Sequence, residues 1–473
     1  MRRLAFSRSR FITGLSLILL LVMIMLPYPQ TPGTFAQTPT PPARPNILII
    51  MTDDQGHDTL TDQFMPFTKS MIADQGINFT NGFMSTALCC PSRACLLTGQ
   101  YARNHGVHLN GDKLNATTVA NRLHDAGYYT GLIGKYLNSW PGDARPEYNY
   151  WACWDKGYVD PKMNIFGVDQ TVPGYLTYIL RDFAVDFLDK VPSNEPFFLL
   201  WTPHAPHGPA TPAPGDEHLY SDLPDWRPPS FNPAVQSDKP AWLANTPLLT
   251  NRQFAEDDEF RLDQLRTLHS VDIAVRDILM KLAAQGKLDN TLVVFYSDNG
   301  YFWAEHRLLH KNRVYEEASH GPFALRYPPL VSTPRTDDNL IQVIDIAPTI
   351  YELAGIAKPG DVDGRSLVPL MRGSNDWRDG LLLEGWPGDK SDEDDEDATI
   401  NVRANVSAQA KKKQNEHYQA IRTSRYVYIE TDNDLSELYD LKVDPYQMTN
   451  VVNEHQYKKT VKKLSKRLAN GDF

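Results

Sequence analysis

Four short runs constrain the fold of this chain more than any other feature. Asn46 to Met51, Tyr129 to Ile133, Phe197 to Trp201 and Leu292 to Tyr296 are almost continuously apolar rather than alternating. A strand half-exposed to water alternates, whereas one covered on both faces does not, so these runs read as buried strands of a parallel sheet. Helical patterns fall between them, at Thr117–Ala126, Tyr175–Lys190 and about Phe260 to Gln285. In the last, Leu262, Leu265, Leu268, Val275, Leu279 and Leu282 form one stripe, which reads as core packing. Strand and helix in alternation predict an α/β doubly wound fold with a mostly parallel sheet.

The chain has 473 residues, enough for one large or two unequal domains. With 47 Lys and Arg against 58 Asp and Glu, its net charge is −11, which argues against a nucleic-acid partner. Arg2, Arg3, Arg8 and Arg10 precede an apolar run from Phe11 to Leu26, and Thr34-Phe35-Ala36 follows. Residues 1–36 therefore read as an export signal, either cleaved or kept as an anchor through residues 11–26, with a Pro/Thr-rich linker over 37–45. That places the protein outside the cytoplasm, secreted or periplasmic. Residues 46–375 are expected to form the main domain and 376–473 a C-terminal subdomain. The latter holds a charged loop near 388–415, a hairpin of Tyr418–Arg422 with Tyr426–Glu430, and Ser436 to Tyr446. Cys89, Cys90, Cys95 and Cys153 are too few for a disulfide framework and lack zinc spacing.

Two of the strands end in acidic pairs, Asp53-Asp54 and Asp298-Asn299. Parallel sheets bind ligands outside the carboxyl ends of their strands. Four oxygen donors converging there suit Ca²⁺ or Mg²⁺, although each pair alone is ordinary turn chemistry. Cys89 to Gly99 reads Cys-Cys-Pro-Ser-Arg-Ala-Cys-Leu-Leu-Thr-Gly, with Pro91 suited to a first helical turn and Arg93 one turn in. A helix N-terminus there would offer N–H groups to an anion.

That segment matches Cys-x-Pro-Ser-Arg-x-x-x-Leu-Thr-Gly, the motif of the type I sulfatases, and the resemblance runs over roughly residues 45–455. It implies an alkaline-phosphatase-like fold with a small antiparallel C-terminal sheet. It also implies that a formylglycine-generating enzyme oxidises Cys89 to Cα-formylglycine, whose hydrate attacks sulfur and later collapses to the aldehyde. By the same resemblance Asp53, Asp54, Asp298, Asn299 and the modified residue 89 hold the metal. Arg93, Lys135 in Gly134-Lys135-Tyr136-Leu137-Asn138, His207 in Pro203-His204-Ala205-Pro206-His207 and Lys311 complete the catalytic set. Asp298 would be the base and His207 the acid for the leaving group.

Many sulfatases carry a histidine where this chain has Leu137; His105 or Asn138 are the candidates to serve instead, or to bind substrate. The Gly-Lys-Tyr-Leu-Asn form is most similar to N-acetylglucosamine-6-sulfatases and related arylsulfatases. It implies a 6-O-sulfated amino sugar of a glycosaminoglycan-type saccharide, or an aryl sulfate, as substrate. The aromatic segment Tyr148 to Trp154 reads as buried core before it reads as a sugar platform. Alternatives are a phosphoester or phosphonate monoester hydrolase of the same superfamily and an unmodified saccharide-binding protein.

Overall fold

In the computed structural model the four apolar runs are adjacent strands of one sheet. The structure describes residues 44–138, 140, 143–386 and 417–473; the expected signal and the charged loop at 388–415 lie outside them. Thr291–Ser297, Asn46–Thr52, Phe197–Thr202, Tyr129–Gly134 and Tyr150–Lys156 lie side by side in that order, all parallel. Ten strands make up the whole sheet. On one side Phe323–Arg326 runs antiparallel to Thr291–Ser297, Ile77–Phe79 reverses direction again beside it, and Arg335–Asp337, parallel to Ile77–Phe79, closes the edge. On the other a hairpin of Lys162–Ile165 and Val168–Thr171 is added.

Covering layers explain the lack of alternation. Ile47, Ile49 and Met51 face a layer containing the helices Cys89–Thr98, Val119–Asp125 and Ile346–Ala354. Leu48 and Ile50 face the opposite layer, built on Leu176–Lys190 and Asn251–Ala284. Both faces of the strand are therefore apolar. The long helix begins nine residues before the expected Phe260, because Thr250 and Gln253 form a capping box. Its first turns carry Asp and Glu and bury little, which hides them from a periodicity reading. Tyr148, Tyr150 and Trp151 are buried in core, whereas Trp154 is half-buried.

A second, four-stranded antiparallel sheet is formed by Gly380–Gly385, Tyr418–Thr423, Tyr426–Thr431 and Glu437–Asp440. The last helix, Lys458–Asn470, lays Leu464 and Leu468 against Leu382, Ile421, Tyr428 and Leu438 of that sheet. Among the described residues no helix is long and apolar enough to cross a membrane.

Candidate active site

Strand register assembles the site. Thr52 pairs with Ser297, so the next residues on each strand, Asp53-Asp54 and Asp298-Asn299, emerge together at the carboxyl edge. The Asp298 N–H donates to the Thr52 carbonyl at 3.0 Å. The Asp54 N–H donates to Asp298 Oδ1 at 3.3 Å, and Asn299 Nδ2 donates to Asp54 Oδ1. Asp54 adopts a left-handed backbone (φ 67°), uncommon for a residue with a Cβ and found where surroundings over-determine the conformation. All four side chains are fully buried.

Each cation reaches these carboxylates from a different element. Lys135 follows Gly134, where a Cβ would lie 2.0 Å from the Thr202 carbonyl oxygen and φ is +113°. Only glycine permits that approach, which turns Lys135 inward to donate from Nζ to Asp53 Oδ2 at 2.6 Å. Arg93, on the helix Cys89–Thr98, donates from Nε to Asp298 Oδ2 at 2.8 Å and lies 3.3 Å from Asp53 Oδ2. Its Nη1 donates to the Lys135 carbonyl at 2.8 Å, tying helix to strand end. Lys311 donates to both oxygens of Asp54, at 2.9 and 2.7 Å. It sits in a loop where Ala304, His306, Arg307, His310 and Asn312 all have left-handed backbones. The Asn312 N–H, donating to Ala87 O at 2.8 Å, fastens that loop to the approach to Cys89.

Cys89 is the first residue of its helix, and Pro91, without an N–H to leave orphaned, is the third. The Cys90 N–H is already spent on Asn110 Oδ1 at 3.0 Å, so that donor of the helix N-terminus does not face the site. Cys89 Sγ donates to Asp53 Oδ1 at 3.3 Å. Burial, then the charge of Asp53, pushes this thiol up to about 12. A thiol so rarely ionised is a poor nucleophile. All four cysteines are buried.

The turn after Phe197–Thr202 supplies two histidines. His207 Nδ1 lies 2.9 Å from the Gly208 carbonyl, and its Nε2 lies 3.7 Å from Asp54 Oδ2. His204, three residues earlier, places Nδ1 3.4 Å from Asp53 Oδ2 and stacks on Trp154 at 3.9 Å between ring centres. Burial, then the neighbouring His207, lowers His204 to about 3. Sequence reasoning assigned no role to His204 and read Trp154 only as part of the aromatic segment Tyr148 to Trp154; the recurrence of Pro-His three residues on was the available signal.

Burial would raise the Asp53 carboxyl, but Lys135, His207 and Arg93 hold it well below the usual range. In Asp298 burial, then the charge of Asp53, wins and raises it to about 7. Three carboxylates thus meet three cations, so the cluster is formally neutral inside a chain of net charge −11. Donor atoms of Asp53, Asp54, Cys89 and His207 lie within 4.8 Å of one another. Asn299 Oδ1 is buried without a hydrogen-bond partner among the described residues. A hard divalent cation fits this set, because carboxylate and amide oxygens dominate it and an orphaned buried oxygen needs a partner.

The structure therefore brings together Asp53, Asp54, Cys89, Arg93, Lys135, His207, Asp298, Asn299 and Lys311. His105 stands apart: its Nε2 lies 3.3 Å from Cys95 Sγ and its Nδ1 accepts the Val107 N–H at 3.0 Å. Asn138 is exposed, three residues beyond Lys135.

Residues 45–356 match the Sulfatase family model, and 407–472 match the model described as N-sulphoglucosamine sulphohydrolase, C-terminal. The chain belongs to the sulfatase family. A human N-acetylglucosamine-6-sulfatase is 30% identical over 86% of this chain and 81% of its own length. A Sulf-1 extracellular sulfatase homolog of Caenorhabditis elegans is 33% identical over 72% of this chain, which spans about half (52%) of that relative. A solved structure of a protein bound to its substrate D-glucosamine-2-N,6-O-disulfate superposes with a TM-score of 0.77. It is 25% identical, over 90% of this chain and 97% of the other. Fold class and family agree with the sequence-based expectation.

Proposed function

We propose that this sulfatase-family chain is a sulfuric ester hydrolase acting outside the cytoplasm on a 6-O-sulfated amino sugar of a glycosaminoglycan-type saccharide. The observation that carries the reading is the buried cluster of three cations on three carboxylates around Cys89, a thiol held protonated and therefore idle as it stands. Formylglycine at residue 89 would supply a hydrate with one hydroxyl to attack sulfur and a second to expel the sulfate. Asp53, Asp54, Asp298 and the Asn299 Oδ1 would hold Ca²⁺ or Mg²⁺, which supplies a positive charge beside the ester oxygens. A dication added to a neutral cluster leaves the site attractive to a sulfate anion within a negatively charged protein.

The chain's own side chains divide the remaining work. Arg93 is fixed by Asp298 and the Lys135 carbonyl, so its fork is oriented before substrate arrives. Lys135 and Lys311 reach the cluster from separate elements and supply preorganised positive charge where negative charge builds during ester cleavage. Asp298, held by Arg93 Nε at 2.8 Å, would accept the proton lost by the attacking hydroxyl. His207, once protonated at Nε2, could donate to the departing sugar oxygen. Support for the amino-sugar class comes from the relative named as an N-acetylglucosamine-6-sulfatase and the neighbour bound to a glucosamine disulfate.

Mass spectrometry of the peptide spanning residues 85–103 should show conversion of Cys89. Turnover should be compared on matched sulfate and phosphate monoesters of one sugar. Preference for the phosphate, or full activity with unmodified Cys89, overturns the reading.

A further inference from the structure

The helix Lys458–Asn470 carries six cations, Lys458, Lys459, Lys462, Lys463, Lys466 and Arg467, and no acidic residue in its thirteen positions. At about 100° per residue the five lysines fall within an arc of roughly 140°, on the side opposite Leu464 and Leu468. Those leucines are 3% and 2% exposed against the sheet, while all five lysines are exposed. Arg467 is separate, spent on Asp379 and Asp472.

Several other surface cations are matched. Lys190 with Asp186, Lys281 with Asp189 and Arg252 with Glu256 all lie between 2.5 and 2.8 Å. None of the five helix lysines has an ion-pair partner among the described residues. Like charges recur at i,i+4 (458/462, 459/463, 462/466), a spacing that destabilises a helix by repulsion. A face that concentrates unmatched charge in a chain of net charge −11, at a cost to its own helix, is matched to an external polyanion.

We propose that this face binds a linear sulfated polysaccharide, so that the polymer is held at the helix while one of its sulfate esters is presented to the catalytic site. The choice of occupant rests on the sulfatase reading above, since the polymer would be the substrate's own chain. The lysines span about 12 Å along the axis at 1.5 Å per residue, so the row contacts a run of sulfates rather than one. As on any densely charged chain, each contact would release about 0.7–0.9 of a condensed counterion. Five contacts then predict a log-log salt slope of about −3.5 to −4.5, a loss of roughly 10²–10³-fold in affinity between 50 and 200 mM salt.

The experiment uses the full chain carrying Cys89→Ala, so that nothing is hydrolysed, and an end-labelled heparin oligosaccharide followed by fluorescence anisotropy against salt. A second protein adds K458Q, K459Q, K462Q, K463Q and K466Q; glutamine keeps helix propensity, and circular dichroism checks the fold. Expected are the slope above, its collapse toward zero in the glutamine protein, and an affinity loss of at least about tenfold at 50 mM salt. The same five substitutions in the Cys89 enzyme should leave kcat/KM on a small aryl sulfate within about twofold and raise KM on the polymer. Equal binding by both proteins overturns the proposal, as does tighter binding to phosphatidylserine vesicles or duplex DNA than to heparin. Aryl sulfate turnover is read independently, so loss of the catalytic reading and loss of the docking face are distinguishable.

Discussion

The carboxyl edge of the large sheet and the C-terminal sheet with its helix handle charge in opposite ways. At the edge, Asp53, Asp54 and Asp298 are wholly buried and each is met by Arg93, Lys135 or Lys311. On the helix Lys458–Asn470, five lysines face water unmatched and two leucines do the holding. Burying an ion is costly unless it is paired, so the edge contributes little to folding and a great deal to chemistry. The helix is the reverse: its stability comes from apolar contact and its charge is available to something outside. Mutations should therefore separate function from stability along this divide.

The largest effect is expected at Cys89. Cys89→Ala should lower turnover on the order of 10⁴–10⁶-fold, as loss of a nucleophile does, with an unchanged melting temperature. Cys89→Ser should fail or stop after one transfer, since it lacks a second hydroxyl. Steady multiple turnover by either variant removes the covalent reading.

Lys311→Ala comes next, at roughly 10²–10³-fold in kcat/KM, because it removes the two hydrogen bonds that Lys311 donates to Asp54 as well as charge from the site. His207→Ala should affect esters of poorly acidic sugar hydroxyls about tenfold more than activated aryl sulfates, which leave without a proton. Equal losses on both substrates would reduce His207 to a binding residue.

Leu464→Ala crosses to the other region. Removing this buried side chain should cost about 2–4 kcal/mol of stability, measured by denaturant titration, while kcat/KM of the folded enzyme stays within about twofold. A matching loss of kcat/KM would mean that the C-terminal sheet tunes the site after all. Arg422 to Glu316 (2.6 Å) and Tyr315 to Glu437 (2.6 Å) are among the contacts through which it would do so.

The smallest effect concerns pH. Glu305 is raised from 4.5 to about 8 by burial and then by the charge of Glu317. Between those values the folded protein keeps the proton and the unfolded chain has lost it. Stability from this group is therefore complete below pH 4.5 and disappears as pH approaches 8. Glu305→Gln should gain about 2 °C in melting temperature over wild type between pH 5 and 8. A constant difference across that range excludes the effect.

Much of this molecule was readable from linear pattern because the relevant physics is local. Runs such as Ile47–Ile50 announce a strand covered on both faces, and Pro91 announces a helix start. Asp53-Asp54 and Asp298-Asn299 could be placed at one edge once their strands were taken as parallel. The extended start of Asn251–Ala284 was missed because its first turns are polar. Thr250 and Gln253, the capping pair, were the local sign of it. His204 on Trp154 was invisible, since a stacking partner fifty residues away leaves no mark on either sequence neighbourhood.

What the sequence determined by itself was four central strands of the large sheet, the helix that begins at Cys89, and the identity of the charged residues available to the site. Which carboxylate each cation meets was decided only by tertiary structure. The Thr52–Ser297 register, the close approach at Gly134 and the left-handed loop before Lys311 bring side chains from six chain segments within a few ångströms of one another. Periodicity is a property of neighbours along the chain. Pairing of buried charges depends on distances through a low-dielectric interior, and those exist only once the sheet has set its register.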